Sequence, residues 1–178
     1  MLRRLCLTIG LMLVVSGPVL AETGPYIGFH GGASGVDVSV DEGRLRLESS
    51  EFAWKAFGGF GIGRFVALET GYVNFGSASE RIAGVDLEQK LWGWDTAALL
   101  KLNLGPVDFY GRLGGIYWKA SVDIGNELAV STDGFDVNYG GGIGVILGKV
   151  SLRGEMVWYD ASDVGNPWLA SAGITLGF

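Results

Sequence analysis

The sequence predicts an all-β protein, an eight-stranded antiparallel up-and-down transmembrane β-barrel. Three observations support this fold class. Eight segments alternate apolar residues with polar or small ones, the connections between them alternate between long and short, and large aromatic residues gather at the segment ends. Because successive side chains of a strand point to opposite faces, each such segment builds one apolar wall and one polar wall.

Composition narrows the class further. The chain has 178 residues with 31 Gly, one Cys and one His, and its formal net charge is −6. This length predicts one domain. A single cysteine excludes a disulfide framework and a cysteine-based zinc site, and the acidic balance gives no footprint for nucleic acid. We expect neither a cofactor nor a bound metal.

The first 21 residues are predicted to be a secretory signal peptide, cleaved before Glu22. Arg3 and Arg4 precede an apolar run over residues 5–15, and the segment closes with Val-Leu-Ala at 19–21. The apolar run is too short to span a bilayer. The mature barrel, residues 22–178, then contains no cysteine and carries a charge of −8.

The strands follow from the alternation of residue types. In the sixth segment Phe135, Val137 and Tyr139 alternate with Asp136 and Asn138, and the other segments behave similarly. The predicted strands lie at about 25–35, 51–62, 64–75, 92–103, 106–121, 135–147, 150–159 and 168–178.

The connections distinguish a membrane barrel from a soluble β-sandwich. Long connections are predicted near 36–50, 76–88, 122–133 and 160–167, and short turns near 61–63, 104–106 and 148–149. Short periplasmic turns and longer outer loops on an even number of strands are typical of outer-membrane barrels. A soluble sandwich has no reason to sort its loops by length.

Aromatic residues are sorted by strand end. The tryptophans lie at the long-loop ends and are predicted to form an aromatic girdle at the membrane interface: Trp54, Trp92, Trp94, Trp118, Trp158 and Trp168. Several phenylalanines lie at the short-turn ends, namely Phe60, Phe65, Phe109 and Phe178. Amphipathic rings prefer the two membrane–water interfaces.

The mature chain resembles the transmembrane domain of outer membrane protein A and its eight-stranded relatives. The similar passages are residues 56–62, 65–72, 112–119 and 152–158, and together with the chain end they span nearly all of the mature chain. The ending resembles the terminal signal read by the barrel-assembly machinery, with Ile174, Leu176 and Phe178 as its apolar positions. The resemblance implies passage through the periplasm with chaperones and insertion among outer-membrane lipids and lipopolysaccharide. Many relatives add a periplasmic domain that grips peptidoglycan. We expect none here, because the sequence ends at Phe178.

The lumen of so small a barrel is just wide enough for side chains. The ionisable residues predicted to face inward are His30, Lys55, Glu69, Asp95, Lys101, Arg112, Asp136, Arg153 and Glu155. The resemblance implies that Glu69 and Arg153 occupy the positions of a Glu–Arg network that plugs the lumen. We expect Lys101, Arg112, Glu155 and His30 to join that network. The alternative is a narrow porin-like channel.

Catalysis is not expected. Some eight-stranded barrels modify lipid A with a histidine near the outer leaflet, but the only imidazole here, His30, lies near the periplasmic end of the first strand. A catalytic group must first be within reach of its substrate. His30 is therefore predicted to be a polar residue of the lumen.

The predicted outer loops are acidic. Residues 36–51, 77–88, 122–133 and 160–167 together carry a charge of −10, which leaves the rest of the mature chain at +2. This acidity indicates either a solvated, repulsive cap or a surface that binds cationic partners, or cations that bridge to lipopolysaccharide phosphates. The first connection also carries a hairpin signal, residues 36–40 and 44–47 around 41–43. It predicts a ribbon that continues the first two strands above the membrane.

Taken together, the sequence predicts a monomeric protein of the Gram-negative outer membrane, a structural or surface antigen of the envelope without enzymatic activity. The rival hypotheses are a narrow channel, an adhesin or immune-evasion protein that binds a host or cell-surface ligand through its loops, and a lipid A-modifying enzyme.

Overall fold

A computed structural model describes residues 23–36, 51–82, 85–124, 127–161 and 166–178. The strands, in chain order, are β1 Gly24–Val36, β2 Glu51–Ile62, β3 Val66–Ile82, β4 Val85–Leu104, β5 Val107–Ile124, β6 Glu127–Leu147, β7 Val150–Tyr159 and β8 Pro167–Gly177. The predicted signal peptide lies outside the described residues, as does the hairpin predicted in the first connection beyond Val36. No helix among the described residues is long and apolar enough to cross a bilayer.

The predicted fold class is confirmed. Each strand pairs antiparallel with the next, and β1 pairs with β8 from Tyr26↔Gly177 to Val36↔Pro167, so that the sheet closes into a barrel. Closure pairs every strand on both sides within the barrel wall. It thereby satisfies the backbone N–H and C=O groups that lipid cannot satisfy.

Side chains alternate between lipid and lumen as the sequence predicts. Along β7, Leu152 and Met156 are exposed on the outside, whereas Ser151, Val157 and Tyr159 are buried inside. The other strands show the same two-residue period. Much of the apolar composition therefore forms a lipid-facing coat, and the lumen carries most of the buried polar side chains.

The short turns lie at one end of the barrel. Gly63, Gly105 and Gly148 have φ values of 66°, 69° and 72°. These left-handed conformations are readily adopted by glycine. The first turn spans 63–65 rather than the predicted 61–63, because Gly61 and Ile62 still pair with Ala67 and Val66.

Two of the predicted long loops are largely strand. β3 and β4 remain paired as far as Ile82↔Val85, and β5 and β6 as far as Ile124↔Glu127. The polar residues at 76–88 and 122–133 indicated loops, but a backbone ladder outside the membrane does not need apolar side chains. These two hairpins therefore extend the wall above the membrane as a four-stranded sheet.

The outer rim carries stacked aromatic side chains. Ring centroids lie 5.9 Å apart for Phe29 and Trp54, 5.4 Å for Trp54 and Tyr72, and 5.7 Å for Tyr72 and Trp92. Trp158 stacks on the neighbouring strand's aromatic ring, Tyr139, at 6.1 Å. Rings at this level are suited to a membrane–water interface.

The prediction for Trp118 is wrong. Its side chain is only 2% exposed and faces the lumen, where Nε1 donates a hydrogen bond to Asp136. Trp118 lies an even number of residues from the lumen-facing Arg112, whereas the neighbouring Tyr117 faces outward. The position near the long-loop end of the strand was predicted correctly, but the face was not.

Glycine allows close approach of strands at Gly114. A Cβ there would lie 2.1 Å from the Thr96 carbonyl oxygen, whereas a Cβ at Gly111 on the same strand would meet nothing within 4 Å. We predict that Gly114→Ala lowers the free energy of unfolding by about 1–3 kcal/mol, as overpacking does. Gly111→Ala should change it by less than about 0.5 kcal/mol, as surface substitutions do. Urea unfolding of both variants in lipid vesicles measures this, and equal effects would contradict it.

Candidate functional site in the barrel lumen

The lumen is layered along the barrel axis. Towards the long-connection end lies an apolar cluster that includes Phe75, Ile116, Trp118 and Leu169. Towards the short turns lies a second one, formed by Tyr26, Phe57, Ala67, Ala97, Leu99 and Tyr110. Between the two lies a group of buried charged side chains, which we call the central ion cluster: Lys55, Glu69, Asp95, Arg112, Arg153 and Glu155.

Arg112 joins two carboxylates of the cluster. Its Nη2 atom lies 2.9 Å and 2.8 Å from the two oxygens of Asp95, and its Nη1 atom lies 2.9 Å from Glu155 Oε1. Arg112 is on β5, Asp95 on β4 and Glu155 on β7. One planar guanidinium therefore links strands on different sides of the barrel with charge-assisted hydrogen bonds.

Lys55 contacts all three acids of the cluster. Its Nζ atom lies 3.2 Å from Glu155, 3.6 Å from Asp95 and 3.9 Å from Glu69. The ammonium also lies 5.0 Å from the ring centroid of Phe57, within range of a cation–π contact. Lys55 thus reaches from β2 to the opposite side of the lumen.

Glu69 and Arg153 form the third contact of the cluster. Arg153 Nη1 lies 2.7 Å from Glu69 Oε1, and the same oxygen accepts a hydrogen bond of 2.9 Å from the Tyr26 hydroxyl. The Arg153 guanidinium carbon also lies about 5 Å from the ring centroids of Tyr26 and Tyr110, at 5.2 Å and 5.3 Å. The two residues expected to pair from the resemblance do lie together.

Neutral side chains add hydrogen bonds to two of the acids. Asn138 Nδ2 donates to Asp95 at 3.1 Å, and the Tyr159 hydroxyl lies 3.4 Å from the same carboxylate. The Tyr110 hydroxyl lies 3.4 Å from Glu155. Three cations and three anions balance one another, as buried charges must if they are to remain ionised.

Comparison with known proteins is consistent with this architecture. Residues 7–177 match the family model described as outer membrane protein beta-barrel domain. The chain belongs to this family. Sequence identity to the solved structures is low, so their likeness concerns the fold alone. A comparison with curated proteins found no significant match.

Three solved structures illustrate the likeness. Neisserial surface protein A covers 88% of this chain and 98% of its own, with a TM-score of 0.72 and 17% identity. The attachment invasion locus protein Ail of Yersinia pestis covers 86% of this chain and 99% of its own, with a TM-score of 0.57 and 17% identity. The N-terminal β-barrel domain of Pseudomonas aeruginosa OprF covers 86% of this chain and 97% of its own, with a TM-score of 0.58 and 11% identity. This chain is thus an outer-membrane β-barrel protein of bacteria.

Two further charged residues of this outer-membrane barrel lie closer to the short turns. Lys101 Nζ is 3.8 Å from Asp108 Oδ2, and both side chains are buried. Sequence reasoning placed Lys101 in the lumen but missed Asp108 and the hydroxyl groups of Tyr26 and Tyr110. The two-residue alternation on β5, which makes Asp108 and Tyr110 face the same way as Arg112, was the available signal.

His30 is buried in the lumen. Its ring meets Phe57 edge to face at 4.9 Å, and Nδ1 lies 3.5 Å from the Ser171 hydroxyl. Asp136, also predicted to face inward, is half-buried and accepts the hydrogen bond from Trp118. Within the described ranges, no group of three or more His, Cys, Asp or Glu side chains could hold a metal ion.

The pairing of Glu69 with Arg153 can be measured by a double-mutant cycle. We predict that Glu69→Gln and Arg153→Gln each lower the free energy of unfolding by about 3–5 kcal/mol, because each leaves a buried charge without its partner. The double variant should cost less than the sum of the two, since it leaves neither charge. Urea titration of vesicle-inserted protein gives the four values. Strictly additive losses would show that the two side chains do not interact.

Proposed function

We propose that this protein is a non-enzymatic surface protein of the outer membrane whose lumen is closed to ions. The central ion cluster carries the proposal. Its six side chains are buried between two apolar layers, and they join β2, β3, β4, β5 and β7 across the lumen. An ion that crossed would have to displace Arg112 or Lys55 from carboxylates at about 3 Å.

The narrow-channel hypothesis is less well supported. Eight strands leave room for side chains but not for an aqueous path, and the contacts of the cluster fill the level at which a path would have to pass. The charge of the central ion cluster is also balanced, so the cluster offers no selective attraction for one sign of ion.

No site among the described residues supports an enzymatic role. His30 is 1% exposed and packs against Phe57 inside the barrel wall. A lipid ester in the outer leaflet would have to reach it through the wall, and geometry is the first requirement for a general base. We therefore assign His30 to lumen packing.

Planar-bilayer recording tests the closed lumen. Wild-type protein should give at most small and rare conductance events. Substitution of both cations that join the acids, Lys55→Ser with Arg112→Ser, should raise their frequency, because it removes the cross-lumen contacts and leaves space. Heat-modifiable migration on detergent gels controls for folding of the variant. Steady, ion-selective steps from the wild-type protein would overturn the proposal.

We also propose that residues 1–21 are removed on export and that the chain end directs assembly. Ile174, Leu176 and Phe178 alternate on the outer face near the short-turn end, and all three are exposed. Such an apolar, exposed strand end is accessible to the barrel-assembly machinery before the barrel closes, and periplasmic chaperones would bind the same surface in transit.

A matched pair of aromatic variants tests the assembly signal. Phe178→Ala should lower the amount of heat-modifiable protein in the outer-membrane fraction severalfold. Phe60→Ala, an exposed aromatic substitution at the same end of the barrel, should not. Intact mass of the wild-type protein should correspond to a chain that begins at Glu22. Equal loss from both variants would indicate a general effect on interface aromatics instead.

The surface role depends on charge. The Ail protein has been solved in complex with the heparin analogue sucrose octasulfate, which is a polyanion. The predicted outer segments of this chain, residues 36–51, 77–88, 122–133 and 160–167, carry −10, so the same kind of ligand would be repelled. We propose that its partners are cationic, with the barrel acting as a monomer. Cations that bridge these acids to lipopolysaccharide phosphates are the second candidate.

A further inference from the structure

Strand β6 rises well beyond the end of its neighbour β7. The pairing of β6 with β7 ends at Asn138↔Tyr159, and the last bond between them runs from the Asp160 N–H to the Val137 carbonyl at 2.9 Å. On its other side β6 stays paired with β5 up to Ile124↔Glu127. In the described part of the chain, no strand lies on the β7 side of residues 127–136.

The direction of the backbone groups along this edge follows from Val137. Its carbonyl points to β7, and residues of a strand direct their N–H and C=O groups alternately to the two sides. The N–H and C=O groups therefore point to the unpaired side at Phe135, Asp133 and Ser131. At Gly134 and Thr132 they point to β5. The register shift between β5 and β6 comes only beyond Val130. The alternation is therefore unbroken from Ser131 to Val137.

Three common protections of an edge strand, proline, lysine and a bulge, are missing from residues 131–137. Edge strands are commonly guarded by proline, lysine or a bulge. Residues 131–137 read Ser-Thr-Asp-Gly-Phe-Asp-Val and contain neither proline nor lysine. The Phe135 side chain is 72% exposed, and Ser131, Thr132 and Asp133 are exposed as well.

The charge beside this edge is negative. Asp133 is exposed and accepts a hydrogen bond of 2.8 Å from the Tyr117 hydroxyl, which holds its carboxylate on the outer face. Asp160, where β7 ends, is exposed on the same side, and Asp136 is half-buried behind it. Lys119 is the cross-strand neighbour of Asp133 on β5 and offsets one of these charges.

We propose that the β6 edge from Ser131 to Phe135 binds an extended basic peptide segment by β-strand addition, in the position that β7 would occupy if it continued upward. The backbone groups of Ser131, Asp133 and Phe135 supply the ladder, which is how strand addition gains affinity. Asp133 and Asp160 select basic side chains. The inference depends on the proposed surface role and names the class of partner.

Amide hydrogen exchange in nanodiscs tests the edge, with an alternating Lys–Val decapeptide as the probe. In the protein alone, the amides of Ser131, Asp133 and Phe135 should exchange at least about tenfold faster than those of Thr132 and Gly134, because only the latter are paired. Saturating probe should slow these three by about tenfold or more. The same peptide N-methylated at every residue, and an alternating Glu–Val peptide, should not.

Two substitutions at one position separate the ladder from the charge. Asp133→Pro removes one N–H donor from the edge and leaves the hydrogen bonds to β5 intact. It should lower the affinity for the probe peptide about fivefold or more, the equivalent of one hydrogen bond. Asp133→Asn keeps the N–H donor and removes the charge, so it should lower the affinity for the probe less. The difference in affinity between this variant and the wild-type protein should vanish at high salt.

Slow exchange of the three edge amides in the protein alone, or equal binding by the N-methylated peptide, would overturn this inference. If either result is found and the wild-type barrel does not conduct ions, the proposed edge site is wrong and the proposed closed lumen is still supported. If the wild-type barrel conducts ions and the probe protects the three edge amides, the closed lumen is wrong and the edge site is supported.

Discussion

Closure of the backbone ladder between β1 and β8 is the constraint on which the rest of this protein depends. A bilayer offers no hydrogen-bond partner to an open edge, so the strands must form a ring. A ring of eight strands has a small interior, and the two-residue period of each strand then fixes which residues enter it. Lipid coat and polar lumen are thus two consequences of one closed ladder.

The narrow interior in turn dictates the chemistry of the central ion cluster. Side chains from opposite walls meet at hydrogen-bond distance, so each buried charge has an opposite charge beside it: Arg112 with Asp95, Arg153 with Glu69, and Lys55 with Glu155. Buried pairs contribute little net stability compared with a well-packed apolar core. Their effect here is to join distant strands of the wall, such as those of Lys55 and Glu155, which lie 100 residues apart in the chain.

Local alternation, together with the order of long and short connections, was enough to predict the fold class. Alternation alone predicted the inward orientation of the charged residues, because that orientation depends only on a strand's own period. Two other features depend on relations between strands. Residues 76–88 and 122–133 are polar and were predicted as loops, but they form strands because their backbones pair with neighbouring strands. To predict the face of Trp118, the alternation had to be followed along the whole of β5 from Arg112. Partner choice in the lumen was beyond reach for a similar reason. That Asp95 accepts from Arg112, Asn138 and Tyr159 follows from strand register and tilt, which one strand's sequence does not encode.

The same closed ladder explains why an open edge can exist on this molecule. Within the bilayer each unsatisfied N–H or C=O costs several kcal/mol, and there β6 is paired on both sides from Asn138 to Leu147. Above the aromatic rim water can satisfy these groups, so the cost of leaving β6 unpaired on one side beyond Val137 falls to nearly nothing. A strand from another chain that takes this position would exchange water for backbone hydrogen bonds without disturbing the barrel. Among the described residues, the part of the wall in which β6 lacks a neighbour on its β7 side is therefore the part that lies beyond the aromatic rim.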